Sequence, residues 1–134
     1  MNNQETSTAH KKLEALEKAF IQDLRKIDTQ FASMSITVKF KNDKMVFGAD
    51  YSNTPYLMGF VFSQIRPFEP FLEFDRNGKL SEIDPNKTSL GDSNIKVLSF
   101  QVVSFLGMNI RFVTPILEKY WKLYDELLDE NREM

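Results

Sequence analysis

Carboxylates cluster between residues 69 and 84: Glu69, Glu73, Asp75, Glu82 and Asp84. Two carboxylates flanking a scissile bond can perform glycoside hydrolysis, and a pair holding magnesium can serve phosphoryl transfer. On a strand, Glu73 and Asp75 share one face. The Asp…Glu-x-Lys pattern of a common nuclease core fails here, because Glu82-Ile83 is followed by Asp84. A solvated sheet face with turn hydrogen bonding explains these residue types better. A carboxylate-dependent hydrolase stays as an alternative that needs two of them to converge in a cleft.

Other chemistry is sparse. The chain has no cysteine and one histidine, His10, beside Lys11 and Lys12. Thiolate metal sites, disulfides and cysteine nucleophiles are therefore excluded. A histidine between lysines at a helix start reads as a surface residue, not as a fixed base or ligand. The five glycines are isolated, with no Gly-x-Gly, no Gly-Lys-Ser/Thr and no Gly-x-Ser-x-Gly. Standard phosphate loops and nucleophile elbows are absent. No cofactor and no metal is expected.

Basic and acidic patches point to binding instead. Lys39, Lys41 and Lys44 crowd a hairpin tip near Phe40 and Phe47. Basic residues interleaved with aromatics can grip a single strand. Strand alternation, however, sends the phenylalanines and the lysines to opposite faces. With 17 Lys+Arg against 19 Asp+Glu and a net charge of -2, a nucleic-acid-binding accessory role is the weaker alternative. Asp125, Glu126, Asp129, Glu130 and Glu133 make the C-terminal end acidic. That charge opposes a helix dipole and offers a dock for a basic partner.

The elements that position these residues follow from periodicity. Of the 134 residues, 42% are hydrophobic and 27% charged, which suits one globular domain. Residues 1–9 are polar and read as a flexible tail; 10–134 form a single α+β domain. Leu13, Leu16, Phe20, Leu24, Ile27, Phe31 and Met34 form one helical stripe. The helix they imply has about 25 residues and a length of about 37 Å. Ile36–Phe40 and Met45–Ala49 alternate around Asn42-Asp43, the signature of a tight hairpin. Tyr56–Ile65 is apolar throughout and reads as a strand covered on both faces. Arg66-Pro67-Phe68-Glu69-Pro70 reads as a break in regular structure. Phe71–Asp75 and Lys79–Ile83 pair around Arg76-Asn77-Gly78. The β-branched residues of Ile95–Phe105 tip that segment towards strand rather than helix. Met108–Val113 reads as another short strand, and Thr114-Pro115 as the start of the last helix. The expected fold is an antiparallel sheet of about five strands, flanked by a long N-terminal helix and a C-terminal helix.

Such a sheet carries more apolar surface than two helices on one face can cover. The function expected is therefore non-enzymatic protein binding, as an adaptor, inhibitor or chaperone-like factor, with homodimerisation favoured. The expected anchors are Trp121, Tyr120 and Tyr124 on the last helix, and Phe68 and Phe71 near the prolines, with Asp125 and Asp129 biasing partner choice. A small apolar-ligand pocket lined by Phe60, Phe62, Tyr120 and Tyr124 is a further alternative. No apolar run reaches the ~18–20 residues of a membrane-spanning helix. Met1–Lys12 has no apolar core of a signal peptide, so a cytoplasmic location is expected.

Overall fold

The computed structural model describes residues 3–28, 31, 36–50 and 68–133. Among them are three helices and one four-stranded antiparallel sheet. The order is α1 (Asn3–Arg25), β1 (Ile36–Lys41), β2 (Lys44–Asp50), β3 (Phe68–Asp75), β4 (Leu80–Glu82), a 3-10 turn (Pro85–Lys87), α2 (Asp92–Met108) and α3 (Ile110–Glu133). The strands lie in sequence order, β1-β2-β3-β4. The α+β class agrees with the sequence reading. The strand number is four rather than about five, and Tyr56–Ile65, read as a strand, lies outside the described residues, as do Phe60 and Phe62.

The hairpin forms where alternation places it. Ile36 pairs with Ala49, Val38 with Phe47 and Phe40 with Met45, so these six residues share the core face. Asn42 takes φ 52, the left-handed backbone that a two-residue turn needs. The second turn also forms as read. Asp75 Oδ1 accepts from the backbone N–H groups of Asn77 (2.9 Å) and Lys79 (2.8 Å), and Gly78 takes φ 83.

The described part of the proline-rich break, Phe68, Glu69 and Pro70, is instead the start of β3, and Pro70 is accommodated beside a bulge where the register shifts opposite Phe47 and Gly48. Because of that bulge, both Phe71 and Leu72 are buried. A Cβ on Gly48 would lie 2.5 Å from the Phe68 ring and 2.8 Å from the Glu69 carbonyl oxygen. Only glycine lets β3 and the Phe68 ring come this close.

Two segments read as strands are helical. Ile95–Phe105 lies inside α2, and Met108–Val113 spans the junction of α2 and α3. Gly91, at φ 83, ends the preceding loop, and Asp92 brings negative charge to the first turn of α2. Ile95, Ser99, Val102 and Phe105 are buried at steps of three and four, which is the spacing that a strand reading misses. The last helix starts before Thr114-Pro115, so Pro115 sits within α3. The break falls at Asn109, whose side-chain amide donates to the Phe105 carbonyl (2.9 Å) and whose own carbonyl receives the N–H groups of Phe112 and Val113. Across it the chain bends by 100°.

The first helix is shorter at one end and longer at the other than its stripe implies. It begins at Asn3, within the stretch read as a tail, and ends at Arg25. Phe20 and Leu24 are fully buried, and Phe31 enters the core beyond the helix, stacked on Phe105 at 4.1 Å. α1 runs antiparallel to α3, with Lys12 near Glu130 (3.4 Å) and Tyr120 donating to Asp23 (2.6 Å). Burial and the Asp23 carboxylate push the Tyr120 phenol up to about 12, so it remains a donor.

α1 also closes the free edge of β1. Glu17 accepts from the Phe40 backbone N–H (2.8 Å), and Arg25 donates to the Ile36 carbonyl (3.0 Å). Side chains from a helix thus occupy edge groups that would otherwise pair with another strand. Burial raises the Glu17 pKa, and the Phe40 N–H and Lys39 counteract it only in part. An acid whose folded pKa is raised favours folding in its protonated form. Its cost appears as pH rises above 4.5, the ordinary value, and through the folded pKa. Chemical denaturation across pH 4–8 tests this. Glu17→Gln keeps an acceptor without the charge, and its stability relative to the parent rises with pH. Glu17→Ala strands the Phe40 N–H and costs about 1–3 kcal/mol.

Candidate functional site

The mid-chain carboxylates do not converge. Glu69 is fully buried on the core face, where it accepts from the Ser89 backbone N–H and ties β3 to the loop before α2. Glu73 and Asp75 share the opposite face, as alternation predicts, but Lys44 holds Glu73 (2.9 Å) and Asp75 is committed to its turn. Glu82 pairs with Leu72 and so returns to the first face, exposed on β4. Asp84 accepts from the Asn86 N–H (2.9 Å). Among the described residues no group of three His, Asp or Glu could hold a metal ion. His10 is an exposed partner of Glu14 on α1.

The hairpin lysines are exposed, and Phe40 and Phe47 are core. Lys39 lies 4.4 Å over the Phe68 ring, and Lys44 is paired with Glu73. The expected partner anchors fall in different places. Phe71, Tyr120 and Tyr124 are buried within the chain's own core. Phe68 is half-buried between Gly48 and Lys39. Trp121 is half-buried, with its ring edge-on to Phe40 at 5.1 Å. Asp129 is exposed near the end of α3.

Asp125 belongs to a junction built around Arg76. Arg76 leaves the β3–β4 turn and lies over the Trp121 ring at 4.3 Å. Its Nε donates to Asp43 in the β1–β2 turn (3.0 Å), and Nη1 and Nη2 fork onto Asp125, the former at 3.0 Å. One guanidinium thereby joins both hairpin turns to α3. The Asp125 hydrogen bond is the main cause holding the Arg76 pKa above its ordinary value. Beside this junction a cleft of about 500 Å³ opens between the turn end of the sheet and α3. Its apolar lining is Met45, Phe74, Leu106, Ile110, Leu117 and Trp121, and its polar lining is Asp75, Arg76, Asn77, Thr114 and Glu118.

A second feature is an apolar surface on the elbow between α2 and α3. Phe100 is 72% exposed, Met108 83%, Phe112 60%, Val97 56% and Ile110 55%. Phe100 and Met108 border one shallow depression with Asp28, Phe31 and Gln101. The charged residues nearest in sequence are Lys96, paired with Asp92 (3.2 Å), and Arg111. Asp28 lines the same depression, whereas the acidic residues read as a dock from sequence lie towards the far end of α3. None of these exposed residues was singled out by sequence. The signal for them was that α2 is apolar all round, which in a small domain exceeds what one packed face can hide. No single helix among the described residues is long and apolar enough to cross a membrane.

Comparison of the chain with protein families, curated proteins and solved structures finds no match.

The Arg76 junction makes a testable demand on geometry. Lysine carries the charge but cannot fork onto Asp125 while stacking on an indole. In a double-mutant cycle of Arg76→Lys with Asp125→Asn, read by denaturation, the coupling is about 0.5–1 kcal/mol, since both groups are partly exposed. Emission from Trp121, the single tryptophan, shifts in Arg76→Lys at equal folded fraction.

Proposed function

We propose that this chain is a non-enzymatic protein-binding module whose docking surface is the α2–α3 elbow. The supporting observation is the exposure of Phe100 and Met108 around one depression, with Ile110 and Phe112 exposed just past the bend. Large apolar side chains grouped on a surface mark interaction sites more often than scattered ones do. Aromatic and methionine side chains are also enriched at interface centres. Of the site residues put forward from sequence, Tyr120, Tyr124 and Phe71 are buried in the chain's own core and Trp121 is half-buried against Phe40. An adaptor, inhibitor or chaperone-like role, in the cytoplasm, fits a surface of this kind, and a second copy of the chain is one partner that would cover it.

Replacing surface residues leaves the core intact, so association and folding can be separated. The triple variant Phe100→Ser, Met108→Ser, Phe112→Ser shifts stability by no more than about 0.5 kcal/mol per site. Sedimentation across a concentration series, with pull-down at low and moderate salt, reads its binding. Association weakens by about 30-fold or more if these residues are interface anchors. Unaltered association in the folded variant refutes the proposal.

A further inference from the structure

The cleft beside Arg76 has the makings of a second site, distinct from Phe100, Met108 and Phe112 of the elbow although Ile110 borders both. Its volume of about 500 Å³ falls within the range of small-molecule pockets. Apolar residues from β2, β3, α2 and α3 line it together with polar residues from the β3–β4 turn and α3. A ligand that fits this lining is apolar over most of its body and carries a polar group.

The charges in that lining choose the sign of the polar group. Arg76 is the one cation among the described lining residues, and Asp43 and Asp125 already occupy its nitrogens. An anionic ligand would have to displace Asp125. Asp75 and Glu118 add two further carboxylates to the lining. Glu118 is exposed on α3 and makes no hydrogen bond or ion pair among the described residues. Lys79 follows the turn and Lys122 lies one helical turn beyond Glu118, but neither lines the cleft. The lining is thus short of positive charge, and a cation offsets that.

We propose that the cleft binds a small apolar compound bearing a protonated amine. The hydrocarbon part lies against Trp121, Leu117 and Phe74. The ammonium pairs with Glu118, the exposed lining carboxylate on α3. Trp121 lines the cleft and reports its occupancy directly.

The test uses the full chain and three probes of equal length below their micelle concentrations: decylamine, decanol and decanoate. Decylamine changes Trp121 emission saturably and binds about tenfold more tightly than decanoate. Glu118→Gln weakens decylamine about three- to fivefold, consistent with an exposed charge pair, and leaves decanol unchanged. Thr114→Phe, at an exposed lining position, fills the cleft and removes binding of all three probes. No saturable change, or decanoate binding as tightly as decylamine, overturns the proposal. So does binding that survives Thr114→Phe and is lost in the Phe100→Ser, Met108→Ser, Phe112→Ser variant, which would place the probe on the elbow.

Discussion

Phe40 is the residue on which the described layers converge. It lies on the edge strand β1, and its ring meets Phe20 of α1 at 5.5 Å, and Trp121 and Tyr124 of α3 at 5.1 and 5.3 Å. Phe20 in turn meets Tyr120 at 5.2 Å. Its backbone N–H is the one that Glu17 caps. Aromatic pairs in edge-on or offset stacking add about 0.5–1.5 kcal/mol each beyond their buried area. A cluster of this kind joins elements nearly a hundred residues apart in sequence. It fixes α1 against α3, and both against one sheet face.

That arrangement leaves α2 with an unequal share of the core. Ile95, Ser99, Val102 and Phe105 turn inward, and Phe31 stacks on Phe105. The neighbouring ridge of Val97, Phe100 and Val103 has no layer of its own chain over it among the described residues. The sharp bend at Asn109 then carries Ile110 and Phe112 to the same elbow. Among the described residues most of the exposed large apolar side chains lie on α2 and α3, with Leu80 of β4 besides.

Much of the fold was legible where a local rule acts alone. The hairpin at Asn42-Asp43 and the turn at Arg76-Asn77-Gly78 follow from turn chemistry, and the α1 stripe from its spacing. Phe68–Pro70 was misread because a proline that breaks a regular strand is tolerated at a bulge, and the bulge depends on Gly48 lying opposite. Ile95–Phe105 was misread because β-branched residues were weighed above the buried spacing, and tertiary packing overrode that propensity. The site was less legible. Whether Tyr120, Tyr124 and Trp121 face a partner or the core depends on how α3 rotates against Phe20 and Phe40, which are distant in sequence. Asp125 was read as part of an acidic dock. It serves Arg76, which no periodicity pairs with it.

The measurement that tests the central claim most directly is side-chain carbene footprinting of the full chain. Phe100, Met108 and Phe112 would be compared between the dilute single molecule and its assembled state. The account predicts heavy labelling of all three in the dilute protein and protection on assembly, with Val102 and Phe105 unlabelled in both. Low labelling of the elbow in the dilute molecule, or labelling that does not change on assembly, would contradict it.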